Sequence, residues 1–228
     1  GEPVLASLVA AAAAFGLVAA AATVANRGRV HERLGRLNVK SEAKAAAGIA
    51  SLLGGMAPKE AMLQAQKNFR VLPFSALKRD DFGSNSDTGL RAHTIATSLG
   101  RCDCFLSHSW HDPTDAKWQV LHEWATEFEA IHGRSPLIWL DKACIDQTNI
   151  AASLQCLPIF LAGCKRLLVV VGPTYCERLW CVLEMFVFLQ MSGDISRIDF
   201  LFCGDARGDA AGGREGESRS AARAVSFG

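Results

Sequence analysis

The stretch Arg178-Leu179-Trp180-Cys181-Val182-Leu183-Glu184-Met185-Phe186-Val187-Phe188-Leu189 is apolar and free of Gly and Pro, and it predicts a buried helix. Trp180 and Glu184 lie four residues apart, so their side chains share one face of this helix. A lone carboxylate in an apolar setting costs free energy unless it is paired or used chemically. Two interpretations of Glu184 stay open: a structural ion pair or a functional group. The candidate ion-pair partners are Arg178, Lys165 and Arg166.

Short apolar segments alternate with helical patterns over the second half of the chain. Segments 102–106, 137–140, 166–171 and 198–202 have the length and composition of buried strands. Such alternation predicts an α/β fold with a mostly parallel sheet and helices on both faces. The intervening patterns predict an amphipathic helix over 116–132, a second over 149–163 that bends at Pro158, and the helix that carries Glu184.

Ligands of such a sheet bind beyond the carboxyl ends of its strands. Loops 107–115, 141–148 and 172–180 should meet at that edge. For the two tryptophans in these loops, stacking on a flat ligand and ordinary packing both stay open. The residues brought together are Ser107, His108, Ser109, Trp110, His111, Asp141, Lys142, Tyr175, Trp180 and Glu184.

Several kinds of site are disfavoured by what the sequence lacks. The chain has no G-x-G-x-x-G turn, no Walker lysine loop and no paired C-x-x-C motifs, so neither a Rossmann dinucleotide site nor a metal site is expected. No spacing supports Cys144 or Cys176 with His108 as a nucleophile pair. The net charge of +1 and the absence of a basic run with interleaved aromatics argue against nucleic-acid binding.

Four motifs in order resemble those of the TIR (Toll/interleukin-1 receptor) domain. Residues 103–112 (DCFLSHSWHD) resemble its opening strand and loop, and residues 138–142 (IWLDK) resemble its second strand. Ile150 falls where the next helix of that family begins. Its third strand is resembled by residues 168–175, which contain LVVV and then Tyr175. The helix after that strand is resembled by residues 180–184 (WCVLE). The resemblance covers about residues 101–203, under half of the chain.

The resemblance implies a flavodoxin-like strand order and a site for NAD, as a substrate rather than a cofactor. It implies that Glu184, the Glu of the W-C-x-x-E pattern, is catalytic in cleaving the bond between nicotinamide and ribose. It also implies self-association of the domain, with loop 141–148 of a neighbouring copy completing the site. The other expected substrate contacts are Trp180, Ser107, His108, Trp110, Asp141, Lys142 and Tyr175.

The sequence also departs from the family pattern. Many TIR domains have an Arg near the position of Ser109 and a Gly-Glu pair where Trp110-His111 stands, and the usual Gly before Ile150 is missing. The family's fifth strand and closing helices have no counterpart here. The intact W-C-x-x-E element favours an NAD glycohydrolase, whereas the altered first loop favours a non-enzymatic TIR-type protein–protein interaction module.

Outside residues 101–203, the sequence divides into three further parts. Residues 1–28 contain an apolar run from Val4 to Ala25 with a basic flank, which predicts a helix that anchors the chain in a membrane with the TIR-like domain in the cytosol. A targeting segment and an alanine-rich helix of a soluble cytoplasmic protein are the alternatives. The start at Gly1 rather than Met is typical of a fragment or a processed form. Residues 29–100 predict a loosely packed connector, and residues 204–228 predict a disordered tail.

Overall fold

The computed structural model describes residues 42–43, 46–47, 57–192, 194–203 and 223–224. The expected helix from Val4 to Ala25 lies outside these residues, and so does the expected disordered tail except for two residues. Within the part of the chain that is described, no helix is both long and apolar enough to cross a membrane.

The described elements are strands and helices in alternation. The strands are β1 (Arg70–Pro73), β2 (Ile95–Ala96), β3 (Cys102–His108), β4 (Leu137–Trp139), β5 (Cys164–Val171), β6 (Ile198–Phe202) and β7 (Arg223–Ala224). The helices are α1 (Pro58–Asn68), α2 (Thr114–His132), α3 (Asp141–Cys144), α4 (Ile150–Gln155), α5 (Leu157–Ala162) and α6 (Leu179–Ser192). Short 3₁₀ turns occupy Phe74–Ala76, Arg79–Phe82, Leu90–His93, Tyr175–Glu177 and Ile195–Arg197.

The strands form a mixed sheet in the order β2-β1-β4-β3-β5-β6-β7. The four central strands β4, β3, β5 and β6 are parallel. The flanking pairs β1–β2, β1–β4 and β6–β7 are antiparallel. The expected α/β fold with a mostly parallel sheet is therefore confirmed, and the four expected strands are the four parallel ones.

Strand β3 lies at the centre of the sheet and is buried along its whole length. Parallel strands that are covered on both faces are usually apolar throughout, but β3 also buries the polar residues Asp103, Ser107 and His108. Phe105 of β3 stacks on Trp139 of β4 at 4.4 Å between ring centroids, and Trp139 contacts Phe160 of α5 at 5.6 Å. These aromatic contacts hold the strand ends that face the site in a fixed position.

The helices differ from expectation in three places. The expected helix over 149–163 is two helices, α4 and α5, with Pro158 in the first turn of α5, where its missing N–H is tolerated. The expected loop 141–148 begins with the one-turn helix α3. Helix α2 begins at Thr114, two residues before the expected start. It ends at His132 as expected, and the next residue, Gly133, has a φ of 67°, a left-handed conformation that favours glycine.

Helix α6 is not buried on all sides, contrary to the sequence-based expectation. Cys181, Glu184 and Phe188 are buried, whereas Leu179 is 82% and Phe186 is 56% exposed. The stretch is apolar around its whole circumference, so its periodicity could not show which face meets the core. The helix therefore presents an apolar stripe to the surface.

The expected loose connector is wrong for its C-terminal part, which belongs to the sheet and core. Strand β1 pairs antiparallel with β4, at the sheet edge that the connector caps. Phe74 and Phe82, in the 3₁₀ turns that follow, are buried. The Phe82 ring contacts Trp110 at 6.3 Å and Trp118 at 6.2 Å between centroids. Residues before position 101 thus help to form the core.

Truncating the Phe82 side chain should therefore destabilise the whole domain. Phe82→Ala is expected to lower the free energy of unfolding by about 3–5 kcal/mol, because a fully buried ring is lost. Phe186→Ala is the matched control at an exposed position and should change it by only about 0.5 kcal/mol. Urea denaturation of the two variants measures both values. Equal, small effects would show that the connector packs loosely after all.

Candidate functional site

A cleft opens at the carboxyl ends of β3 and β4 and the start of α6. Its inner part has a volume of about 130 Å³ and its outer part about 270 Å³. Both parts are lined by Trp110, Asp141 and Trp180, so they form one continuous cleft. The inner part is also lined by Leu106, His108, Ser109, Arg178, Cys181 and Glu184. The outer part is also lined by Asn85, Lys142, Ile145, Gln147, Ile150 and Leu154.

Glu184 is the innermost acidic group of the cleft. It is only 4% exposed, and no described residue forms an ion pair with it. Lys165 and Arg166, considered as partners on sequence grounds, bind Asp103 and Asp199 instead. The structure therefore leaves the Glu184 carboxylate unpaired inside an apolar helix.

The Ser107 hydroxyl binds Glu184 from behind, and the Tyr175 hydroxyl in turn contacts Ser107. Ser107 donates a hydrogen bond of 2.6 Å to Oε2 of Glu184, and the Ser107 and Tyr175 oxygens are 2.9 Å apart. Tyr175 also reaches the carbonyl of Cys181 at 3.3 Å. Ser107 and Tyr175 are both 1% exposed and line neither part of the cleft. The structure places these two expected substrate contacts where they orient Glu184 rather than face a ligand.

The surroundings of Glu184 favour its neutral form. Burial and, to a smaller extent, the nearby Asp141 carboxylate raise the pKa of Glu184 to about 8, against hydrogen bonds from Ser107 and Trp180 that lower it. Burial also raises the pKa of Asp141, whose oxygens accept from the backbone N–H of Lys142 at 2.6 Å and from Trp110 at 3.4 Å. Two carboxyl groups with raised pKa values therefore share one cleft.

Trp110 is held in place by two lysines. The ammonium of Lys117 is 5.7 Å and that of Lys142 is 5.4 Å from its ring centroid. Lys117 is fully buried and donates to the carbonyl of Ser109 at 2.9 Å. Lys142 donates to the carbonyls of Asp81 and Ser84, at 2.8 and 3.0 Å. The ammonium of Lys142, an expected substrate contact, therefore fastens the connector to the cleft.

His108 lies in the wall of the inner cleft as a neutral ring. Its centroid is 4.3 Å from Trp110 and 5.3 Å from Phe82, edge-on in both cases. Burial lowers the pKa of His108 to about 3, and the positive charge of Lys117 adds to this effect. A neutral imidazole in this wall offers shape and polarity to a ligand.

The loops after β3 and β5 are joined by a polar network. Oδ1 of Asp112 accepts from the N–H and the hydroxyl of Thr174, both at 2.8 Å, and Ser109 lies 2.7 Å from the Thr174 hydroxyl. A Cβ at Gly172 would lie 2.3 Å from the Asp112 carboxyl group, so this close approach needs glycine. The network fixes the loop that carries Trp110.

Several residues of the cleft escaped the sequence analysis. Arg178, Asn85, Gln147 and Leu154 line it, and Lys117 supports it. Only Lys117 had a sequence signal, since it lies on the apolar stripe of α2, four residues before Leu121. His111, which was expected near the site, is exposed and lines neither part of the cleft.

The arrangement suits a flat, positively charged ligand. Indole rings bind flat rings by stacking, and a positive charge bound in the cleft would favour the ionised forms of Glu184 and Asp141. Across the described ranges, no three His, Cys, Asp or Glu side chains lie close enough together to hold a metal ion. Comparison with protein-family models, with curated proteins and with solved structures finds no match for this chain.

The raised pKa of Glu184 predicts how stability depends on pH. Between pH 4.5, the ordinary pKa of Glu, and about pH 8, the Glu184 carboxyl group keeps its proton in the folded protein and loses it in the unfolded chain. The stability of the fold therefore falls as pH rises through this range. Glu184→Gln removes this titration. When the pH rises from 4.5 to 8.5, the free energy of unfolding of the variant should therefore increase by roughly 3–5 kcal/mol relative to that of the wild type.

Chemical denaturation at both pH values measures this gain. Glu177→Gln, at an exposed position before α6, is the control and should follow the wild type. If Glu184→Gln also follows the wild type at both pH values, the carboxyl group of Glu184 is not desolvated.

Proposed function

We propose that this protein is a TIR-like signalling domain that cleaves the nicotinamide–ribose bond of NAD, with Glu184 as the catalytic residue. The observation that carries the proposal is the unpaired, buried carboxyl group of Glu184 beside Trp180 in a cleft at the strand ends. Structural carboxylates of this depth normally have a basic partner, and Glu184 has none among the described residues.

The strand order supports the TIR-like assignment. Numbered along the chain, the four parallel strands β3, β4, β5 and β6 lie in the order 2-1-3-4. This is the beginning of the flavodoxin-like order 2-1-3-4-5, in which ligands bind at the switch point beside the first strand. The cleft lies at that point, because β3 contributes His108 and the loop with Trp110.

The mechanism follows from the charges in the inner cleft. The nicotinamide ring stacks on Trp110 or Trp180, and its positive charge favours ionised Glu184. When the C–N bond breaks, its electron pair moves to nicotinamide, which leaves neutral, and the ribose becomes a cation. The carboxylate of Glu184 stabilises this cation, and water then adds to it to give ADP-ribose and a proton. Nicotinamide needs no general acid, which agrees with a neutral His108.

The proposal predicts NAD cleavage that depends on Glu184 and on pH. Glu184→Gln should lower kcat by roughly 10²–10³-fold, because a charge that stabilises the transition state is lost. For the wild type, kcat/KM should rise with pH through about 8, as Glu184 ionises in the free protein. Nicotinamide release measures both quantities. Glu177→Gln is again the control and should retain wild-type turnover. A folded wild-type protein that releases no nicotinamide would contradict the proposal.

A second candidate function is a non-enzymatic TIR-type interaction module. The observation in its favour is the apolar stripe of α6, which exposes Leu179, Val182 and Phe186. Ile150 and Leu154 of α4 are also exposed at the outer cleft. Exposed apolar side chains in this number are typical of surfaces that bind proteins. Under either candidate, the domain associates with itself.

Self-association makes activity depend on protein concentration. Specific activity of the wild type should rise with concentration, and Phe186→Asp should weaken both association and this rise, because it places a charge in the apolar stripe. Sedimentation velocity and nicotinamide release on the same samples provide the measurement. A wild type that stays monomeric with constant specific activity would argue against assembly. Association without nicotinamide release would favour the interaction module.

We further propose that the run from Val4 to Ala25 anchors the chain in a membrane and leaves the TIR-like domain in the cytosol. The support is the length of this uncharged run and the arginines that follow it, at positions 27, 29, 33 and 36. Recovery of the full chain in the soluble fraction without detergent would favour the soluble alternative.

A further inference from the structure

A second cavity of about 290 Å³ lies at the opposite end of the parallel strands from the cleft. It opens where β3, β5 and β6 begin, against the C-terminal half of α2. Its lining residues are Asp103, Cys104, Trp124, Phe128, His132, Arg134, Lys165, Arg166, Arg197 and Asp199. None of these residues lines the cleft around Glu184.

The floor of this cavity is apolar and aromatic. Cys104, Trp124 and Phe128 are all buried, and the Trp124 and Phe128 rings are 5.7 Å apart. The guanidinium of Arg134 lies 5.2 Å from the Phe128 ring centroid. An apolar body, and above all a flat ring, can be buried against this surface with little loss of polar contacts.

The rim of the cavity carries more positive than negative charge. Asp103 binds two cations, Arg134 through two bonds of 2.6 and 2.8 Å and Lys165 through one of 3.0 Å. Arg166 binds Asp199, and Arg197 binds Glu42. Arg166 and Arg197 thus each have a carboxylate partner and also lie near Asp194, whereas Arg134 and Lys165 share Asp103, which leaves one positive charge in excess at that pair.

The excess charge lies at Lys165 and Arg134, the two cations that share Asp103. The Lys165 side chain is half exposed, and its ammonium uses one of three N–H groups on Asp103. The guanidinium of Arg134 uses two of its five N–H groups on Asp103 and one on the carbonyl of Ser135. Both cations keep N–H groups that can donate to another acceptor.

We propose that this cavity binds a small aromatic monocarboxylate, with its ring on Trp124 and Phe128 and its carboxylate on Lys165 and Arg134. One negative charge matches the excess positive charge of the rim. The volume lies at the lower end of small-molecule sites, roughly 300–1,000 Å³. Charge-assisted hydrogen bonds from both cations would fix the carboxylate. The site is separate from the NAD cleft, and the proposal does not depend on NAD cleavage.

Titration with 1-naphthoate tests the site, with neutral 1-naphthamide as the matched ligand and acetate as the anion without a ring. Calorimetry should give one site for 1-naphthoate, with affinity at least about tenfold above that of the amide and no measurable binding of acetate. In NMR spectra the indole N–H signal of Trp124, assigned with Trp124→Phe, should shift, and that of Trp180 should not.

Lys165→Met keeps the apolar stem but removes the charge, and it should weaken 1-naphthoate binding at least about tenfold. In this variant the Asp103 carboxylate still accepts hydrogen bonds from Arg134 and from the backbone N–H of Leu137, the latter at 2.9 Å, so the variant should fold. Lys67→Met, at an exposed position in α1, is the control and should bind as the wild type. Equal affinity for acid and amide, an unshifted Trp124 signal at saturation, or unchanged binding by folded Lys165→Met would each overturn the proposal. If Lys165→Met does not fold, two measurements on the wild type test the proposal: the affinity for the acid compared with that for the amide, and the shift of the Trp124 signal.

Discussion

The hydrogen bond between Ser107 and Glu184 joins the central strand of the sheet to the helix that carries the acid. Strand β3 is buried along its whole length, so the position of Ser107 is determined by the pairing of β3 with β4 and β5. Tyr175 approaches the same hydroxyl from the turn before α6. The orientation of Glu184 therefore depends on the sheet, and the tryptophans beside it depend on the loops that the same strands end in.

Among the buried acids of the described residues, Glu184 and Asp112 form no ion pair with a Lys or Arg, and of these two only Glu184 lines the cleft. Asp103 and Asp199 are as deeply buried, and each is bound by at least one Lys or Arg. Replacing Glu184 with an apolar residue would remove a desolvation cost that hydrogen bonds from Ser107 and Trp180 offset in part and that no described cation offsets. Carboxyl groups with perturbed pKa values are concentrated at functional sites, which agrees with the role proposed for Glu184.

The parallel core could be predicted from sequence because its strands are short apolar runs between polar loops. The same parallel pairing explains why Trp110, Asp141 and Glu184 were expected together and are found together. Strand β1 was missed, because a strand of only four residues that ends in Pro73 carries little periodic signal. The roles of Ser107 and Lys142 could not be predicted either, since they depend on which neighbour each side chain meets. These neighbours cannot be identified from the sequence before the packing of the connector is known.

The protonation of Glu184 in the folded protein is the most direct test of this account. Carbon-13 NMR of glutamate-labelled protein, with Glu184→Gln for assignment, can follow its carboxyl group across the pH range. The account predicts a midpoint near pH 8, and a lower midpoint when N-methylnicotinamide supplies a flat cation to the cleft. A midpoint near the ordinary value of 4.5 that does not respond to the cation would contradict it, because Glu184 would then be hydrated or paired.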